Sequence, residues 1–172
     1  MRILALDPAT QTGWCLMDGS FIASGTWDLS VSRKARADMD QDEADGIRLV
    51  NLRSKLNEIQ QHKAIDMLVY EASRNMRYGP GIRVAAQIQG LIQVWSVDNQ
   101  VMFKGYSPSE IKKHATGKGG CNKNAMMVAA FKRWPDVHRT GPADWPSDEA
   151  DARWLADLAV SQLCPEPEIR HA

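Results

Sequence analysis

The sequence has few of the features that mark membrane, secreted or zinc-binding proteins. It contains no run of about eighteen consecutive apolar residues, and its first acidic residue, Asp7, comes too early for a signal peptide. The three cysteines, Cys15, Cys121 and Cys164, are widely spaced and form no CxxC pair, which argues against a disulfide framework and a structural zinc site. We therefore expect a soluble protein of a reducing compartment, with no membrane partner.

The length and composition are those of one globular domain. Of the 172 residues, 44% are hydrophobic and 24% are charged, so the chain can bury a core and differs from disordered sequences. No internal repeat or low-complexity segment divides it. The predicted domain spans residues 1–172, and we expect residues from about 165 to 172 to form a flexible tail.

Charge is distributed unevenly along the chain. Twenty-one basic and twenty-one acidic residues give a net charge of zero. Residues 104–139, named here the basic segment, hold eight basic residues against two acidic ones, so their net charge is +6 and the remainder carries −6. Such a segment favours local binding of phosphates, although a solvated helical face would show the same pattern.

Hydrophobic patterns predict an α/β domain that opens with three strands. Asp18-Gly19 separates two stretches rich in β-formers, which is a hairpin signal. Polar residues 30–46 are expected to connect this meander to the first helix, and Ser147 is the expected N-cap of the last one. The predicted elements are strands at 2–7, 13–18, 20–29, 66–71 and 101–106, and helices around 43–63, 85–95, 127–134 and 148–163, with a further short helix that starts at 108. We expect a mixed five-stranded sheet, an antiparallel meander followed by parallel strands, flanked by helices.

Acidic residues end two of the predicted strands. Asp7 and Glu71 each follow an apolar run, so parallel pairing would place them side by side at one edge of the sheet. Asp148 and Asp151 are three residues apart and share one face of the last helix. Docking that helix through its apolar stripe would turn both toward the first pair. We name these four residues the acidic tetrad; each alone is more typical of an ordinary strand end or helix cap than of a catalytic site, and the prediction depends on the arrangement of all four.

Carboxylates at close range cannot all stay ionised without a countercharge. Divalent cations supply that charge, and a ligand set made only of oxygen favours Mg²⁺ or Mn²⁺ over zinc. Two such ions about 4 Å apart are the usual arrangement for in-line phosphodiester hydrolysis. The acidic tetrad therefore predicts a site for two Mg²⁺ ions, with Mn²⁺ as a substitute.

Three short motifs contain the acidic tetrad. They are Leu6-Asp7-Pro8-Ala9-Thr10 with Thr12-Gly13, then Val69-Tyr70-Glu71, then Asp148-Glu149-Ala150-Asp151-Ala152. In order and spacing they resemble the RuvC family of Holliday-junction resolvases, a member of the RNase H-like superfamily. The resemblance runs from residue 3 to about residue 163. It implies an RNase H-like fold and carries the family's four acidic metal ligands onto the acidic tetrad.

The resemblance extends to residues that would contact DNA. Lys112, Lys113 and Lys118 match the family's lysine-containing helix and the loop after it, and Lys123 falls near a second family lysine. Arg74 stands where cellular members commonly have a base-stacking aromatic. The candidate DNA contacts are Lys112, Lys113, Lys118, Lys123, Arg74, Arg77 and Tyr78. The short chain and its acidic stretch 38–45 are similar to the RuvC-like nucleases of bacteriophages.

The implied function is metal-dependent resolution of four-way DNA junctions by paired, symmetric nicks, in a bacterial or phage-infected host cytoplasm. Two symmetric nicks require two active sites related by a two-fold axis, so we expect a homodimer. Two alternatives stay open. One is a nuclease of the same superfamily that acts on forks, flaps or RNA-containing duplexes, and the other is a non-catalytic junction-binding protein.

Overall fold

The structure is a computed structural model that describes residues 1–72, 80–135, 141–142 and 146–164. The strands are β1 (Arg2–Asp7), β2 (Gln11–Asp18), β3 (Phe21–Asp28), β4 (Met67–Glu71) and β5 (Met102–Tyr106). The helices are α1 (Arg33–Arg36), α2 (Gln41–Lys63), α3 (Pro80–Asp98), α4 (Pro108–Thr116), α5 (Lys123–Arg133) and α6 (Ser147–Leu163).

The five strands form one mixed sheet in the order β3-β2-β1-β4-β5. The first three strands pair antiparallel, and β4 and β5 continue the sheet parallel to β1. The hairpin between β2 and β3 closes with Asp18 opposite Phe21. Gly19 adopts a φ of 59° in its loop, a left-handed conformation that glycine takes without strain. This topology confirms the predicted fold class.

Alternate residues of the central strand β1 face opposite halves of the core. Ile3 and Ala5 pack on the side covered by α4, α5 and α6. Leu4 and Leu6 pack on the side covered by α2 and α3. All four are fully buried, which explains why β1 is a continuous apolar run rather than an alternating one. Among the described residues, helices cover both faces of β1, and Asp7 at its carboxyl end is less buried than these four residues.

The predicted connection over residues 30–46 contains more helix than its pattern indicated. Residues Arg33–Arg36 form the short α1, and α2 begins at Gln41 rather than at residue 43. Asp40 caps α2 in a capping box with Glu43. A second capping box, formed by Ser107 and Glu110, begins α4.

The predicted N-cap of the last helix is wrong. Ser147 is the first helical residue of α6, and Pro146 occupies the cap position. Proline offers no side-chain acceptor, so the first turn of α6 has no side-chain cap within the described residues. That turn carries Asp148, which makes its placement depend on other contacts.

The expected tail over residues 165–172 lies outside the described residues, as do Arg74, Arg77 and Tyr78. Among the helices that the structure describes, none combines the length and apolar character needed to cross a bilayer.

Candidate functional site

Parallel pairing places two members of the acidic tetrad at the same edge of the sheet. The last registered pair between β1 and β4 is Leu6 with Tyr70. Asp7 and Glu71 are the next residues of the two strands, so they leave the sheet side by side. The expectation drawn from the two apolar runs is thereby confirmed for their position.

Helix α6 brings the other two members to that edge. Its apolar stripe, with Ala150 and Trp154, is buried against the sheet. At its first turn the backbone approaches β2 so closely that a Cβ on Gly13 would lie 1.9 Å from the carbonyl oxygen of Asp148. Gly13 is the residue opposite Asp7 in the pairing of β1 with β2. The helix face that bears Asp148 and Asp151 therefore sits over the end of β1.

Burial and mutual repulsion raise the pKa values of three carboxyl groups. Burial, followed by the charges of Glu71, Asp151 and Asp148, holds the pKa of Asp7 well above its usual value. Burial and the charge of Asp151 raise the pKa of Glu71. Burial raises the pKa of Asp151 to about 6 against the opposing effect of Lys123, and the charge of Asp148 adds to the rise. The acidic tetrad is thus one electrostatic unit that resists full ionisation.

The chemistry of the acidic tetrad fits a hard divalent cation. Its donors are all carboxylate oxygens in a partly buried setting, the ligands that Mg²⁺ and Mn²⁺ prefer. The raised pKa values of Asp7 and Asp151 show that their ionised forms are disfavoured here, and a bound cation would favour them. As placed, no three acidic, histidine or cysteine side chains in the described ranges approach one another closely enough to hold an ion. The side chains therefore adjoin one another without forming a finished ligand shell.

Two lysines of the basic segment lie directly beside the acidic tetrad. Glu71 and Asp151 line a cavity of about 180 Å³ together with Lys112 and Lys123. The Nζ of Lys123 is 3.4 Å from Oδ1 of Asp148, an exposed ion pair of small energetic weight. Both lysines lower the pKa of Glu71 and so favour its ionised form. The basic segment is therefore more than a solvated helical face at these two positions.

The remaining candidate DNA contacts lie away from this cavity or outside the description. Lys113 on α4 and Lys118 in the loop after it are exposed and do not line the cavity. Arg74, Arg77 and Tyr78 lie in residues 73–79, outside the described residues.

The sequence analysis missed a buried carboxylate that lies next to the acidic tetrad in the sequence. Glu149, between Asp148 and Asp151, is only 4% exposed and contacts Ser24 and Arg153. The spacing of Glu149 and Arg153, four residues apart on a helix, was the one signal that could have predicted an ion pair. Nothing in the sequence links either residue to Ser24 on β3.

Several solved structures are similar in fold, although no protein-family model matches the sequence. RuvC of Thermus thermophilus in complex with a Holliday junction substrate has a TM-score of 0.72 and 17% identity, with 95% of this chain and 94% of that chain covered. A second Thermus thermophilus RuvC structure has a TM-score of 0.66 and 15% identity, covering 95% of this chain and 97% of that chain. The yeast mitochondrial Holliday junction resolvase Ydc2 has a TM-score of 0.55 and 14% identity, with 91% of this chain and 76% of that chain covered. The chain therefore has the RNase H-like fold of the RuvC Holliday junction resolvases, the fold that its motifs predict.

Proposed function

We propose that the protein is a metal-dependent endonuclease that resolves four-way DNA junctions, a crossover junction endodeoxyribonuclease. One observation carries the proposal: the acidic tetrad gathers at a single sheet edge, with Lys112 and Lys123 beside it. Carboxylates next to lysines suit the cleavage of a phosphodiester, because the former attract divalent cations and the latter attract phosphates. The shared fold with a RuvC that was solved with a Holliday junction substrate supports DNA junctions as the substrate class.

The acidic tetrad is proposed to hold two Mg²⁺ ions, or Mn²⁺ in their place. When bound, such ions supply Lewis-acid activation of the scissile phosphate. The protein's own contribution is to hold four acidic side chains in a partly buried setting, where their repulsion favours the binding of cations over the free state.

The two cavity lysines are proposed to hold the DNA backbone over the acidic tetrad. Lys123 is exposed and only loosely paired with Asp148, so a phosphate oxygen can take the place of that carboxylate. Lys112 lines the same cavity, and its charge lowers the pKa values of Glu71 and Asp151. Together they offset the repulsion that the acidic tetrad would otherwise exert on a phosphate.

Selectivity for junctions is proposed to come from shape more than from total charge. The net charge of zero predicts weak non-specific binding at physiological salt. Lys113 and Lys118 are exposed lysines of the same basic segment, and we propose that they contact the backbone of one DNA arm. Arg74, Arg77 and Tyr78 complete the proposed DNA contacts.

We propose a homodimer as the working unit, since paired nicks need two active sites. The outward face of α3 supports this assembly. Residues 84–97 of α3 include no charged residue, and Val94 and Val97 are 60% and 66% exposed. Ordinary solvent faces of helices carry charges, so an uncharged face of this length is typical of an interface.

The test is cleavage of an end-labelled four-way junction with a short mobile core, in Mg²⁺ and in Mn²⁺. A Y-fork and a linear duplex serve as competing substrates, with Asp7→Asn as the inactive variant. Asp18→Asn is the matched control, because Asp18 is a half-buried aspartate at the end of β2 that pairs with Arg2, away from Asp7. We expect wild type and Asp18→Asn to make paired, symmetric nicks in the junction alone, while Asp7→Asn binds the junction without cutting it.

Other outcomes would point to the alternatives. Equal cutting of the fork would indicate a nuclease with a broader range of branched substrates. Binding by wild type with no cutting in either metal would indicate a junction-binding protein and would overturn the enzyme. Loss of binding together with cutting in Asp7→Asn would count against a metal-ligand role for Asp7.

A further inference from the structure

A partly buried group of three polar side chains connects the first turns of α6 to β3. The Ser24 hydroxyl donates to Oε1 of Glu149 at 2.6 Å. Arg153 donates from Nε to the same hydroxyl oxygen at 2.6 Å, and its guanidinium lies 3.6 Å from Oε1 of Glu149. Ser24 therefore donates to the anion and accepts from the cation, which suits a single hydroxyl. We name Ser24, Glu149 and Arg153 the clamp.

The clamp lies where α6 needs an added constraint. Pro146 gives the first turn no side-chain cap, and the contact of Gly13 with the Asp148 backbone fixes a distance rather than a rotation. A helix turns by about 100° per residue, so a small rotation would move Asp148 and Asp151 away from Asp7. Glu149 lies between those two residues in the sequence and points to the opposite side, toward β3.

An ion pair in this position is a costly way to provide packing alone. Glu149 and Arg153 have side chains only 5% and 14% exposed, and taking two charges out of water costs as much as their attraction returns. An apolar pair would pack α6 against β3 equally well. Hydrogen bonds add direction, which apolar contacts lack, because each one is satisfied at only a narrow range of helix rotations.

We propose that the clamp residues are positioning residues that fix the rotation of α6 and thereby hold Asp148 and Asp151 toward Asp7. This inference rests on the proposed function and deepens it, since it concerns how the acidic tetrad is aligned. Replacement of residues that orient metal ligands typically lowers metal affinity by about 10- to 100-fold.

The experiment measures Mn²⁺ binding to the full, DNA-free chain by electron paramagnetic resonance. The clamp variants are Glu149→Met and Ser24→Ala, which each remove a hydrogen-bonding group, and Ser24→Thr restores the hydroxyl. Asp157→Asn is the matched control, because Asp157 lies further along α6 and ties it to His114 at 2.7 Å and Arg133 at 3.2 Å. Urea unfolding of every variant reports the accompanying loss of stability.

We expect Glu149→Met and Ser24→Ala to weaken Mn²⁺ binding by about tenfold or more. Ser24→Thr should return to within about twofold of wild type, and Asp157→Asn should lose stability but bind Mn²⁺ as wild type does. Where the alanine or methionine variant does not fold, Arg153→Lys takes its place, since it keeps the charge and loses the directed bond from Nε.

Wild-type Mn²⁺ affinity in the clamp variants would overturn the inference. So would equal weakening in Asp157→Asn, because any loosening of α6 would then suffice. Failure of the proposed function would give a different result. Wild type and Asp7→Asn would then bind Mn²⁺ equally, or neither would bind it, and the inference would be overturned together with the proposed function.

Discussion

The backbone of Asp148 rests on Gly13 so closely that no side chain fits between β2 and α6. This contact sets how near α6 comes to the end of β1, because Gly13 is the registered partner of Asp7. One glycine thus joins the strand that carries the first acidic residue to the helix that carries the last two.

Gly13→Ala is expected to displace the first turn of α6. The added Cβ would meet backbone atoms, which cannot rotate away, so we expect a loss of about 3 kcal/mol in the free energy of unfolding and weaker Mn²⁺ binding. Gly46→Ala is the control, since no described atom lies within 4 Å of a Cβ at that helical position. It should raise stability by about 0.5–1 kcal/mol. Urea unfolding and Mn²⁺ titration of both variants decide; equal stability of Gly13→Ala and wild type would contradict the contact.

Asp151→Asn is expected to stabilise the metal-free protein at neutral pH. Burial raises the pKa of Asp151 to about 6 in the folded state, above the unfolded value of about 3.9. The folded state therefore holds the extra proton, and wild type loses stability as the pH rises from about 4 through 6. Neutral asparagine avoids this loss, so melting in EDTA should favour Asp151→Asn by about 1–2 kcal/mol at pH 7.5 and by nothing at pH 4.

Addition of Mg²⁺ should reverse that order. Ions that bind the folded state alone stabilise it, so wild type should gain melting temperature and Asp151→Asn should gain little. If Asp151→Asn instead melts below wild type in EDTA at pH 7.5, burial beside the other carboxylates does not raise the pKa of Asp151.

Asp45 is expected to show the opposite pH dependence. Burial alone would raise its pKa, but hydrogen bonds from Arg48, Arg83 and Gln87 hold the pKa well below its usual value. Its contribution to stability is therefore present above about pH 4 and is lost as the pH falls further. Asp45→Asn should cost about 2 kcal/mol at pH 7 and much less at pH 3, by urea unfolding. Asp42→Asn, on a side chain 92% exposed, is the control and should change little at either pH.

The position of the acidic tetrad could be predicted because it follows from local periodicity. The buried strands β1 and β4 read as apolar runs, so the acidic residue that ends each one marks an edge. The spacing of Asp148 and Asp151 shows their shared helix face in the same way. Given an α/β topology, these three facts leave little freedom in where the four residues lie.

The supports of the acidic tetrad could not be predicted, since they join residues that are distant in sequence. Ser24 and Glu149 are separated by 125 positions and meet only after β3 and α6 have docked. The contact of Gly13 with Asp148 depends on how closely the helix approaches, which no local pattern encodes. The predicted N-cap of α6 was wrong for a different reason. A serine before two acidic residues is typical of a capped first turn, and this pattern does not show that Pro146 takes the cap position instead.

Replacement of both cavity lysines is expected to weaken junction binding and its dependence on salt. Each lysine that contacts a phosphate releases about one counterion, so Lys112→Ala with Lys123→Ala should reduce the slope of log affinity against log salt by about one to two units. Anisotropy of a labelled junction measures this, with Asp7→Asn as the background to prevent cutting. Lys55→Ala, on an exposed residue of α2, is the matched control. An unchanged slope in the double variant would remove both lysines from the DNA interface.

A charge on the outward face of α3 is expected to separate the proposed dimer. A two-fold axis brings the same face of both copies together, so Val97→Glu or Val94→Glu places two like charges in one apolar contact without a partner. Sedimentation should show wild type as a dimer and these variants as monomers at micromolar concentration. Val50→Glu, at a residue of α2 with 50% exposure, should remain dimeric.

The monomers should keep wild-type affinity for Mn²⁺, because the acidic tetrad lies within one chain, but should nick a junction on one strand at a time instead of in symmetric pairs. A dimeric Val97→Glu would move the interface away from α3, and a monomeric wild type that still makes paired nicks would remove the need for a stable dimer.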